Sequence, residues 1–305
     1  MVFEDLTGPI SAKKHPVKVF FLGIFFAFVA SAFSMWIFKQ EASLVMVFLV
    51  VLMAMPLMYF TLKEEEEEDW VIDTEASILN EHGKAVKFLF ALFLGFVVGF
   101  AFVYVVLPDD LVHALFGIQL VTIDNINSNV VRNLGIGGVT FMGNLGSIDS
   151  AVISGKLTSS EAFTLILINN LKVMFFCLIF AFFFGAGAIF VLAWNASVIS
   201  AAIGTYFRNG LANYAHLVGL ERIAIHLQLF VAGVLRYMTH GVFEIIGYFI
   251  AALAGGIISM ALVNHGTKNK GFRKIAIDVS ILIVIGFLFL VIGSFVEVFI
   301  TPLLF

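Results

Sequence analysis

The segment Thr239-His240-Gly241-Val242-Phe243-Glu244 opens an apolar stretch that runs on to Val263. A histidine and a carboxylate four residues apart lie about 40° from one another around a helix axis, on one face. Imidazole and carboxylate together can ligate a metal, pass a proton or hold a cation. A carboxylate at membrane depth must be paired or wet, which makes it a functional-site hypothesis by default. Other polar residues also interrupt apolar stretches: Asn169, Asn170 and Lys172, then Asn195, then Arg236 one turn before His240. Asn169 and Lys172 share a helix face. Lys172 and Glu244 are expected to pair, because either one alone in a low dielectric is costly.

Three readings of Asn169, Asn170, Lys172, Asn195, His240 and Glu244 stay open. They are polar glue that holds helices in register, or they line a water-filled pathway or cavity. In the third reading, His226, His240 and Glu244 ligate zinc. Against the third, the chain has no His-Glu-x-x-His motif, the usual two-histidine zinc pattern. No serine nucleophile elbow or intramembrane Asp pair is present either. The expectation is a non-enzyme with no catalytic residue, no cofactor and no metal.

The elements that must position these residues are membrane spans. The chain is 61% hydrophobic and 12% charged, with 36 Phe, and its mean hydropathy is +1.06. Soluble domains carry about 25% charged residues. The expected fold is an all-α polytopic membrane protein of about seven transmembrane helices, with outer interfacial or re-entrant segments, in contact with the lipid bilayer. A net charge of −4 says little about partners, and with no basic patch no nucleic-acid partner is expected. The lone Cys177 excludes a disulfide framework. The polar start, Met1 to Pro16, has no signal-peptide core, so the first apolar stretch reads as a retained signal anchor.

At about 20 apolar residues per crossing, the seven spans are Val17–Phe38, Ala42–Leu62, Ala85–Leu107, Phe163–Phe184, Ala186–Tyr206, His240–Val263 and Ile275–Ile300. A tight turn at Phe184-Gly185-Ala186-Gly187 separates the fourth from the fifth. A cytoplasmic N-terminus places ten Lys and Arg inside and six outside, with Lys172 in a span, so the positive-inside rule orients the chain in the cell membrane. Three regions follow: 1–84, a two-helix hairpin with an acidic loop; 85–263, a membrane core; and 264–305, a last helix.

Between the spans, Lys63–Lys84 carries Glu64 to Glu68 and reads as a solvated cytoplasmic helix. Glu244→Ala is therefore expected to cost more stability than a change at Glu66. Pro108–Glu161 is rich in Asn and Gly, with Gly135-Ile136-Gly137-Gly138 and Gly143-Asn144-Leu145-Gly146. It lacks the Lys-Ser/Thr ending of a phosphate loop, and reads as turns at the membrane surface or a re-entrant dip. Arg208–Met238 reads as an outer interfacial or re-entrant segment. Small residues recur every four positions at Gly247, Ala251, Gly255 and Ser259, and also in the first, third and fifth spans. Such ladders let helices approach closely, either within one subunit or as a homodimer seam.

Taken in order, Ile168-Asn169-Asn170-Leu171-Lys172-Val173, Gly185 and Gly187, Asn195 and Gly204, His240-Gly241-Val242-Phe243-Glu244 and Ala254-Gly255-Gly256 resemble the stage II sporulation protein M family. The resemblance covers roughly residues 135 to 263. Thr239 stands where that family usually has Pro, and Ala196 where Gly is usual, which weakens the helix break expected before His240 and the close approach at Asn195. An archaeal-type member fits the absence of spore-specific extensions. The resemblance implies a membrane scaffold, dimeric, that organises envelope or membrane-remodelling protein partners. The alternatives are a transporter or channel lined by Asn169, Lys172, Asn195, His240 and Glu244, and an intramembrane metal-dependent enzyme.

Overall fold

The computed structural model describes residues 15–71, 75–133, 158–184, 187–214, 216–266 and 270–304. Among them every regular element is helical: α1 (Pro16–Ile37), α2 (Ala42–Val71), α3 (Glu75–Val106), α4 (Asp109–Asn133), α5 (Ser159–Phe184), α6 (Ala188–Ala212), α7 (Gly219–His265) and α8 (Lys270–Phe295). A π-helical turn, Val296–Ile300, and a short α9 (Thr301–Leu304) complete the order. Among the described residues seven helices are long and apolar enough to cross a membrane, and each overlaps one of the seven spans read from the sequence. In lipid, helices satisfy their own backbone groups, so this is the architecture that such a composition permits.

α5 ends at Phe184 and α6 begins at Ala188, so the two spans part where the sequence places the break. The two other boundaries differ from expectation. Residues 219–238 are not an element apart from the sixth span: they are the opening turns of α7, which runs unbroken for 47 residues, about 70 Å at 1.5 Å per residue. The reason lies at Thr239, which unlike proline keeps its N–H and leaves the helix continuous. Its hydroxyl donates back to the Leu235 carbonyl, 2.6 Å away. α7 ends at Gly266, where φ is 66°, a conformation that suits glycine as a helix stop.

The loop between Lys63 and Lys84 is largely helical as well, being the end of α2 and the start of α3. The solvated reading holds for Lys63 and Glu67, which form an exposed i,i+4 pair. It fails for Glu65 and Glu66, which are buried. Glu65 lies 2.6 Å from Nδ1 of the buried His82, and Asn264 at the end of α7 donates to Glu66 across 3.2 Å. Tertiary packing sets Glu65 against α3 and Glu66 against the end of α7, which no charge pattern reveals.

α4 occupies part of the stretch read as a loop and packs on α2 and α6. Gln119 anchors it and is fully buried. Its amide oxygen accepts from the Ser43 hydroxyl at 2.6 Å, and its Nε2 donates to Ser197 at 3.1 Å. The glycine runs at 135–138 and 143–146 lie outside the described residues. Helix crossings are close where small residues meet. A Cβ at Gly95 would stand 2.2 Å from the Phe20 carbonyl oxygen, so α1 and α3 can cross there only with glycine. Arg208 on α6 bonds the carbonyls of Tyr104 and Leu107 at the end of α3 and pairs with Asp109 at the start of α4. A cation there complements the negative end of the α3 dipole.

Candidate functional site

The sequence-read polar residues divide between a groove, an exposed face of α5 and an interior helix contact. Asn169 and Asn170 are neighbours on α5, about 100° apart around its axis, and so they face different sides. Asn169 lines a groove of about 400 Å3 with Thr122, Trp194 and Asn195 and the rings of Phe176, Phe180 and Phe190. Asn195 turns its amide onto its own helix, donating to the Val191 carbonyl at 2.7 Å. Ala196, in place of the family's usual glycine, is fully buried without disturbing α6.

Asn170 points the other way, into the contact of α5 with α7 and the segment following α8. Its Nδ2 donates to Oε1 of Glu244 at 2.5 Å, and its Oδ1 accepts from the Tyr248 hydroxyl at 2.8 Å. Tyr248 lies one turn after Glu244 on the same face of α7. The amide thus has a partner for each function, and Glu244 is held in one orientation.

The expected ion pair is absent. Lys172 is exposed on α5, and the Glu244 carboxyl instead bonds to Asn170 and to Glu297. The zinc set read from the sequence is also corrected. His226 lies more than three turns before His240 on α7, with its Nδ1 2.5 Å from the Arg222 carbonyl and its ring against Phe207. The residue that joins His240 and Glu244 is Glu297: one ligand atom from each of the three lies within 4.8 Å of the others.

Glu297 is positioned by the π-helical turn Val296–Ile300. Pro302 has no N–H to give the carbonyl four residues back, and its ring crowds that carbonyl. The turn widens accordingly, and the Thr301 N–H reaches the Val296 carbonyl. The Thr301 hydroxyl also donates to that carbonyl, at 3.2 Å, and lies 3.3 Å from His240 Nδ1. Such turns recur at functional sites. Gly293, one turn before Glu297, makes the room: a Cβ there would stand 2.8 Å from Cγ of Glu244. One turn before His240, the Arg236 guanidinium lies 6.0 Å from the centre of the Tyr206 ring.

The small-residue ladder of α7 is used within the chain. Gly247 meets Gly286 and Leu290 of α8, Gly255 meets Leu178 and Ala181 of α5, and Ala251 is fully buried. Ser259 is partly buried. Three residues that organise the site or the bundle escape sequence reasoning: Glu297, Tyr248 and Gln119. For Glu297 the signal was present, as a lone carboxylate in an apolar span. Tyr248 and Gln119 are unremarkable until their partners are known.

The family model of stage II sporulation protein M matches residues 88–302, most of the chain. The match takes in the third and last spans, with Glu297, beyond the stretch that carries the residue motifs. Neither a curated protein nor a solved structure matches.

Proposed function

Because the chain belongs to the stage II sporulation protein M family, we propose that it is a non-enzymatic scaffold of the cell membrane, dimeric, that organises envelope or membrane-remodelling proteins. The basic residues near the span ends favour a cytoplasmic N-terminus. The observation that carries the scaffold reading is the hydrogen-bonded connection between polar side chains of α5, α7 and the seventh span. Tyr248, Asn170, Glu244 and Glu297 form one hydrogen-bonded chain. Such a chain fixes the rotation of three helices and gives the bundle a single register.

The rival transport pathway needs Asn169, Lys172, Asn195, His240 and Glu244 on one route. Their separation between a groove, an exposed face and an interior contact speaks against it. The ladder of α7 is filled by its own chain, so a dimer contact falls on another surface.

Disulfide crosslinking in native membranes tests the scaffold reading. Cysteines at the exposed positions Leu220 and Leu227 report neighbours, while the buried Cys177 stays silent. Crosslinked homodimer together with a co-captured envelope protein is the expected result. Monomer alone, with no partner from any exposed position, overturns it.

A further inference from the structure

We propose that His240, Glu244 and Glu297 form a binding site for a divalent transition-metal ion. The three are separate in sequence only until α7 and the π-helical turn meet. One ligand atom from each then lies within 4.8 Å of the other two, and rotamer adjustment suffices to bring such atoms to about 2.0–2.2 Å from a common ion.

Three further observations point the same way. The first is charge. A divalent ion between Glu244 and Glu297, whose ligand atoms lie within 4.8 Å of each other, would neutralise both carboxylates at once. Charges held partly out of water are paired or coordinate metals. The second is the imidazole. The Thr301 hydroxyl gives its proton to the Val296 carbonyl and so accepts from His240 Nδ1–H. That leaves Nε2 with the lone pair a metal requires, the outer-shell arrangement typical of ligating histidines. The third is the support of the carboxylate: Asn170, itself held by Tyr248, donates to Glu244. Metal-ligating carboxylates are held this way.

The donor set selects the class of ion. One imidazole nitrogen with carboxylate oxygens suits Zn2+ or Mn2+. Ca2+ takes six to eight oxygens, and Mg2+ keeps several waters; neither is matched by two part-buried carboxylates and a ring nitrogen.

The test uses the full chain in lipid nanodiscs, stripped with chelator and titrated with Zn2+ or Mn2+, with Mg2+ as control. Elemental stoichiometry and the metal-dependent shift in melting temperature are read together. One ion per chain is expected, with a saturable upward shift for Zn2+ or Mn2+ and none for Mg2+. Glu297→Gln and His240→Ala are expected to weaken affinity at least tenfold, and His226→Ala to leave it unchanged. Thr301→Val keeps all three ligands but removes the oxygen that orients His240, and outer-shell changes of this kind cost about 10–100-fold in affinity. It decides the matter if the ligand variants do not fold. The proposal is overturned if the parent shows neither saturable binding nor a shift. It is equally overturned if folded Glu297→Gln or Thr301→Val binds as tightly as the parent, or if His226→Ala abolishes binding.

Discussion

Gly293 of α8 faces Glu244 of α7 so closely that a methyl group on the glycine would stand 2.8 Å from the glutamate Cγ. The part-buried carboxyl fits against this helix because the facing position presents no side chain. Gly293→Ala is expected to force the two helices apart, at about 1–3 kcal/mol, read as a lower melting temperature in detergent. In the Glu244→Ala background the penalty should shrink, because the clashing atom is gone and neighbouring sites couple. Full additivity in that cycle would mean the two residues do not meet.

Tyr248→Phe removes the hydroxyl that satisfies Asn170 Oδ1. Hydrogen bonds between membrane helices average about 0.6 kcal/mol and reach about 1.7. A loss within that range is expected, and it should vanish when Asn170 is already alanine. A melting temperature identical to that of the parent would contradict the hydrogen-bonded chain.

Glu244→Ala is expected to cost about 1–2 kcal/mol rather than the larger penalty of an abandoned buried cation, because Lys172 is exposed and does not partner it. Lys172→Met should leave stability unchanged or higher. A fall as large as that of Glu244→Ala would restore the ion pair that the sequence suggests.

Among the acids of the α2–α3 region, position matters more than charge. Glu66, 1% exposed and bonded by Asn264, should respond to alanine substitution. Glu67, with its side chain 63% exposed, should stay within about 0.5 kcal/mol of the parent. Comparing the two melts separates buried from solvated members of one glutamate run, and equal melts would refute the distinction.

Two glycines of α3 give opposite expectations. Gly95→Ala meets the Phe20 carbonyl and should destabilise strongly. Gly83 has open space around the site of a new Cβ, so Gly83→Ala should gain about 0.5–1 kcal/mol from helix propensity. A loss at both would mean the α1–α3 crossing is not what requires Gly95.

The sequence by itself determined the helical class, the seven spans, the break between α5 and α6 and the placing of His240 and Glu244 on one helix face. Those are local properties: hydropathy summed over one crossing, turn chemistry, and the spacing of two residues on one helix. It also showed that Asn170 and Asn195 interrupt apolar spans, without saying which way either faces. Only the tertiary structure decided partners. A partner depends on how each helix is rotated and where it crosses the next, which no single segment encodes. Hence Glu244 takes Asn170 and Glu297 in place of Lys172, and Glu65 and Glu66 lie buried against α3 and α7 though their run reads as solvated. The α7 ladder meets α5 and α8, and Glu297 joins the site because Pro302 widens the turn that carries it.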